Sequence, residues 1–192
     1  MRIVGGELSG RRFGANVTDV TRPTSERVRE ALSSALQARG LFDNARVLDL
    51  YAGTGALGFE ALSRGAREAC FVESGARALK SLRASLHDLG LDARARTLRL
   101  TLSAGMLSTL ARQTANAPFD LVFADPPYAD LEAAVALFSA LPAAGLLSPG
   151  AHLVIEHAAR DSLQLPEYLA SVAGYRYGDT RVSLLTWAPQ GV

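Results

Sequence analysis

Val47-Leu48-Asp49-Leu50-Tyr51-Ala52-Gly53-Thr54-Gly55-Ala56-Leu57-Gly58 decides the fold: a short apolar run enters a glycine-rich turn that opens a helix. The helix runs on through Phe59, Ala61 and Leu62 and is expected to stop at Gly65, the residue type favoured just past a helix end. Outward from this unit, strand-like and helix-like periods alternate, the pattern of a parallel α/β sheet. Strands are expected at 46–50, 69–73, 96–101, 119–124 and 151–156, with an antiparallel pair near 175–178 and 182–187 turning at Gly178-Asp179. Helices are expected after the glycine turn, over Leu79, Leu82, Leu86 and Leu89 with Gly90 as the stop, near 105–114, and over Leu131, Val135 and Phe138. The whole reads as an α/β, doubly wound, seven-stranded and mostly parallel sheet. Residues 1–20 alternate apolar and polar with glycine breaks and predict a β-hairpin or extended arm. Val28, Ala31, Leu32, Ala35 and Leu36 then mark one apolar helix face. The expected organisation is an arm and helix over 1–40 and a core over 41–192, in one structural domain.

The glycine turn is built to receive a nucleotide-like ligand. Glycines let backbone come close, and the helix start offers free N–H groups. Glu73, twenty residues after Gly53, ends the next apolar run, where a carboxylate can bind ribose hydroxyls. Gly53-x-Gly55-x-x-Gly58 with Glu73 also satisfies the dinucleotide fingerprint, so the charge just before the turn must choose. A pyrophosphate would be repelled by Asp49, whereas S-adenosylmethionine carries an ammonium and a sulfonium that a carboxylate favours. Asp49 therefore points to S-adenosylmethionine.

Asp125-Pro126-Pro127-Tyr128 follows the apolar run 119–124 and forms a rigid, acidic, aromatic tip. Consecutive prolines fix φ and restrict the residues before them, so the Asp125 carboxylate and the Tyr128 ring are aimed. An ionised carboxylate only accepts hydrogen bonds, which suits the N–H bonds of an exocyclic amine, and an aromatic face suits a base taken out of its stack.

Together, the two motifs resemble those of class I, Rossmann-like methyltransferases that modify exocyclic amines of bases or amide nitrogens. Met1-Arg2-Ile3-Val4-Gly5-Gly6, Gly10-Arg11-Arg12, Arg22-Pro23-Thr24-x-x-Arg27-Val28-Arg29-Glu30, Ala61-Leu62-Ser63-Arg64-Gly65-Ala66 and Tyr177-Gly178-Asp179-Thr180 narrow the resemblance to the bacterial small-subunit (16S) ribosomal RNA (guanine-N2)-methyltransferase family. It spans essentially the whole chain. The resemblance implies methyl transfer from S-adenosylmethionine to a guanine N2 amine, with Asp125, Pro126 and Tyr128 holding the base. It implies cofactor contacts from Asp49, Tyr51, Gly53, Thr54, Gly55, Glu73, Ser103, Ala104 and Thr24, and RNA contacts from Arg11, Arg12, Arg22 and Arg27. Ser103 departs from the family pattern, which carries an aspartate there. The partner implied is small-subunit ribosomal RNA, free or within the 30S particle, met by a cytoplasmic monomer that needs no metal. Two other readings stay open: amine methylation of DNA adenine or cytosine or of a protein glutamine, and a non-catalytic RNA-binding assembly factor.

Composition agrees. The 192 residues are 48% hydrophobic and 20% charged, enough for a sizeable single core. The lone cysteine, Cys70, has no disulfide partner and reads as a small core residue, as a cytosolic chain allows. The start carries no apolar leader, and Ser139 and Pro142 break the longest weakly polar stretch, so neither a signal peptide nor a membrane span is expected. Net charge is +1, yet residues 1–40 hold seven arginines against four acids, a balance of +3 that leaves −2 for the remainder. Nineteen arginines beside the single Lys80 indicate coding bias, so arginine positions carry more meaning than their number. His87, His152 and His157 fall outside both motifs and lack ligand spacing, and read as surface or structural groups.

Overall fold

The computed structural model describes residues 1–14 and 26–188. Its sheet has seven strands in the order β3-β2-β1-β4-β5-β7-β6, with β1 at Arg46–Leu50, β2 at Glu68–Glu73, β3 at Ala95–Arg99, β4 at Phe119–Ala124, β5 at Leu147–Ala158, β6 at Leu169–Tyr177 and β7 at Thr180–Trp187. The helices are α1 Glu26–Gln37, α2 Ala56–Ser63, α3 Ala76–Asp88, α4 Leu107–Gln113 and α5 Leu131–Ala140. The chain forms two compact units, Met1–Leu100 and Thr101–Val192.

In the first unit β1, β2 and β3 pair in parallel. Val47, Leu48, Leu50, Phe71 and Val72 are fully buried, as continuous apolar runs of parallel strands require when helices cover both sheet faces. Cys70 lies among them on β2, and burial pushes its thiol up to about 12. α3 ends as expected at Gly90, where Leu91 N–H closes back onto the Leu86 carbonyl at 2.9 Å and the Leu91 side chain is buried.

Residues 1–14 make the expected hairpin, though barely as a ladder: one antiparallel bridge joins Arg2 to Arg12. The hairpin is no free arm. Ile3 and Phe13 are buried, and Phe13 packs on Phe59 with ring centroids 4.9 Å apart. Glu7 N–H donates to the Ser63 carbonyl at 2.7 Å, Val4 N–H to Glu60 Oε1 at 2.8 Å, and Gly14 N–H to Ser85 Oγ at 2.9 Å.

α1 corrects the sequence reading. Its buried residues are Arg29, Leu32, Ser33 and Leu36, while Ala31 faces solvent, so the inward stripe is rotated by about one position from the apolar one. The reason is Arg29, a charged residue that is fully buried. Its Nε donates to Glu60 Oε1 at 3.0 Å, and Arg64 Nε lies 3.4 Å from Glu60 Oε2. Arg29 also donates to the Arg2 carbonyl and lies against the Phe13 ring. One buried carboxylate thus ties α1, α2 and the hairpin together.

In the second unit β4 and β5 are parallel, and β5, β7 and β6 are antiparallel neighbours, with a bulge between Ser171 and Ala173. The helix expected at 105–114 begins as a 3-10 turn, Ala104–Met106, and continues as α4. β5 starts at Leu147, four residues before the expected strand. Among the described residues no helix is long and apolar enough to cross a membrane.

Glu60→Ala should destabilise the fold by about 3–5 kcal/mol, because it strands the Arg29 guanidinium in the interior. Replacing Arg29 by Met and Glu60 by Leu together should recover most of that loss. Urea unfolding of both variants is the check, and equal losses would show that the ion pair does not govern this region.

Candidate functional site

The turn after β1 uses the left-handed region three times: Tyr51 at φ 59°, Gly53 at 54° and Gly55 at 80°. For tyrosine this costs about 1–2 kcal/mol, a strain that persists only where the surroundings fix it. The fixings are visible. Ala52 N–H donates to the Val72 carbonyl at 3.0 Å, and Gly55 N–H to the Ala52 carbonyl at 2.7 Å. Asp49, only 3% exposed, accepts the Gly58 N–H on Oδ2 at 3.0 Å. That bond fills one of the donors that a helix start leaves open.

Two glycines are required by space as well as by φ. A Cβ at Gly58 would stand 2.2 Å from Phe71 Cε1, and one at Gly55 would stand 2.3 Å from Leu82 Cδ1. Gly53 differs: around it the nearest heavy atom to such a Cβ is Tyr51 O at 3.9 Å, so that flank of the backbone is open.

Glu73, the last residue of β2, bridges two loops. Its Oε2 accepts the Gly53 N–H at 2.9 Å and its Oε1 the Gly75 N–H at 2.6 Å, so one carboxylate joins the glycine turn to the start of α3. A carboxylate has about four acceptor positions, and these bonds use two. The residues beside the open Gly53 flank therefore suit a ligand with hydroxyl donors, and they fit the ribose of S-adenosylmethionine. Asp49 is brought to the same turn, but as a buried staple of the loop rather than as an exposed carboxylate.

In the second unit Ser103 is exposed, extended at φ −158°, and makes no side-chain cap bond to the 3-10 turn that follows it. Ala104 is exposed in that turn. Asp125 comes directly after β4 and is exposed, Pro126 is buried, and Pro127, at φ −50° and ψ 141°, leads into the 3-10 turn Tyr128–Asp130. The turn is closed by Asp130 N–H on the Pro127 carbonyl at 2.8 Å.

Burial and then the negative charge of Glu156 push the Asp125 carboxyl up to about 7. Solvent reaches the group and screens part of that burial penalty, and both causes act in the same upward direction. Glu156 stands at the carboxyl end of β5, half-buried, and lies outside every motif read in the sequence. Its signal is register: Ala124, the end of β4, pairs with Ile155, which brings Asp125, directly after the strand, to the level of Glu156.

The arginines divide. Arg11, Arg12 and Arg27 are exposed, and Arg11 donates to the Asp88 carbonyl at 2.9 Å. Arg22 and Thr24 lie outside the described residues. His87 is exposed, 3.2 Å from Asp92, while His157 is buried between Ser183 Oγ and the Ala158 carbonyl, where burial lowers its pKa.

Residues 1–186 match the family model described as conserved hypothetical protein 95. The chain is 32% identical over 187 residues to "Putative rRNA methyltransferase YlbH" of Bacillus subtilis, covering 96% of this chain and 97% of that protein. It is 38% identical over 128 residues to ribosomal RNA small subunit methyltransferase D of Escherichia coli, a match spanning 67% of this chain and 60% of the relative's own length. Among solved structures, "Putative methyltransferase yhhF from Escherichia coli" superposes with a TM-score of 0.82 at 32% identity over 99% of both chains. The sheet order and these neighbours establish the class I methyltransferase, Rossmann-like fold.

Gly58→Ala should cost at least about 1–3 kcal/mol, because the added methyl must displace the Phe71 ring beneath the turn. Ala at Gly90, where nothing lies within 4 Å, meets no such clash and should lose only the smaller cost of its left-handed backbone. Thermal unfolding of the two variants compares them; a milder loss at Gly58 than at Gly90 would refute the packing argument.

Proposed function

Because the chain belongs to the conserved hypothetical protein 95 family, we propose that it methylates ribosomal RNA, transferring a methyl group from S-adenosylmethionine to the exocyclic N2 amine of one guanine of the small subunit. The observation that carries the reading is the Asp125 carboxylate, exposed directly after β4 and held by Pro126 and Pro127. The names of the relatives support the RNA class.

Glu73 and the Gly53 backbone would hold the cofactor's ribose and methionine parts, with Tyr51, Thr54 and Gly55 shaping the turn and Ser103 and Ala104 approaching the adenine. When bound, the cofactor supplies an electrophilic methyl on a sulfonium that leaves as a neutral thioether. The residues of the chain then have three tasks. Asp125 and the Pro126 carbonyl accept the two N–H bonds of the amine, which turns its lone pair, otherwise conjugated with the ring, toward the methyl. Tyr128 stacks on the base, worth about 1–3 kcal/mol. As the nitrogen gains the methyl it sheds one proton, and a carboxylate titrating near 7 is well matched to take it. Orientation supplies most of the acceleration, roughly 7–11 kcal/mol at its upper range. The base must be unpaired or flipped out to expose this edge. Arg11 and Arg12, with Arg22 and Arg27, would contact phosphates, and the substrate is the RNA within a partly or fully assembled particle. Asp125 would also serve an adenine or cytosine amine or a glutamine amide, so nucleoside chromatography of treated particles tests the assignment: N2-methylguanosine at one site is expected, and N6-methyladenosine overturns it.

Asp125 must be ionised to accept an N–H bond of the amine and to take the one proton it sheds, so transfer should rise with pH through about 7 and level off above it. The stability contribution has the opposite trend. With its folded pKa raised, the group favours the fold below its unfolded pKa and loses that contribution as pH climbs through about 7, so Asp125→Asn should gain stability over the parent at pH 8 while losing transfer. Calorimetry should show Asp125→Ala binding the cofactor within a few-fold of the parent and Glu73→Ala binding it poorly. The reverse pattern would sink the division of labour.

Arg11→Ala with Arg12→Ala should weaken RNA binding and flatten its log–log salt slope by about 0.7–0.9 per lost phosphate contact. Filter binding over a salt series measures this, and an unchanged slope returns both arginines to a solvated face.

A further inference from the structure

Asp125 is not alone at its end of the sheet. Ala124, the last residue of β4, is the register partner of Ile155 on the parallel β5, so the chain leaves β4 at Asp125 at the level of Glu156, whose charge Asp125 feels. Glu156 in turn pairs with Val182, and Val182 with Tyr175, one cross-sheet row that begins at the level where Asp125 leaves β4. In-register neighbours project to the same face, and strands lie about 4.8 Å apart. His157 and Arg181, the next pair along, project to the opposite face.

A guanine presents N1–H and the N2 amine as adjacent donors on one edge. Adenine presents an amine beside N1, which carries a lone pair and no hydrogen. Two adjacent acceptors of unequal reach, a short aspartate and a longer glutamate one strand away, match the first edge and oppose the second. Resting on the guanine reading above, we propose that Glu156 is the specificity-determining residue, its carboxylate accepting the N1–H of the same guanine whose N2 amine Asp125 holds. A ligand donating to both carboxylates relieves the like-charge repulsion between them. A base with a lone pair at that position adds a third repulsive partner, so the pair rejects as well as selects.

The test uses small-subunit particles from cells lacking this methylation, treated with the parent, Glu156→Gln and Glu156→Asp, with products resolved by nucleoside chromatography between pH 6 and 9. Glu156→Gln keeps the shape of the side chain but places an amide donor or a weaker acceptor at N1. N2-methylguanosine formation should fall on the order of 10- to 100-fold at every pH, with cofactor binding by calorimetry unchanged and the ratio of N6-methyladenosine to N2-methylguanosine raised. Glu156→Asp keeps the charge but loses the reach and should fall similarly. If Glu156 merely tunes its neighbour, Glu156→Gln will keep the parental plateau above pH 8 and only move the acid limb to lower pH, and Glu156→Asp will behave as the parent; either result overturns the proposal. A parent enzyme that makes no N2-methylguanosine fails the guanine reading itself, which the same chromatograms distinguish.

Discussion

The bond from Gly58 N–H to the Asp49 carboxylate is the constraint on which the first unit depends. It joins the end of β1 to the first turn of α2 across a loop in which Tyr51 is held in the left-handed region. It is buried, so no water competes for either partner. Because Gly58 lacks a side chain, α2 can lie against Phe71, and Phe59 can take its place between Phe13 and Phe71. The glycines therefore serve packing first. Whatever ligand the turn receives meets a backbone already held in place.

Charge does a second job away from the turn. Glu60, in the same helix, accepts from the hairpin backbone and from Arg29 while Arg64 stands on its other oxygen. Buried ion pairs of this kind add little net stability compared with apolar packing, but breaking one partner is severe. Their effect here is to define how α1 and residues 1–14 sit on α2.

The fold was legible in the sequence because its signals are periodic and local. β1 and β4 coincide with their expected limits, since each is a short apolar run buried on both faces. Gly65 and Gly90 mark the ends of α2 and α3 as read. Arg29 was not legible: no pattern rule places a guanidinium inward, and its partner lies 31 residues away. The same holds for the site. Glu73 and Asp125 announce themselves by type and spacing, but the Gly53 N–H on Glu73 comes from a loop twenty residues away and the neighbour of Asp125 from a strand brought alongside by sheet register. Asp49 is marked by its place before the glycine turn, whereas its bond to Gly58 N–H depends on how the loop folds back over nine residues.

Cys70 leads to a practical end. As the chain's single thiol, buried in β2 with its ionisation suppressed, it cannot react with an alkylating reagent while the strand stays covered. Exposure requires opening of the parallel sheet, which makes the labelling rate a measure of opening frequency. A native chain of this design carries its own unfolding reporter, one that needs no introduced dye or mutation and reads the stability of the same strand that ends in Glu73.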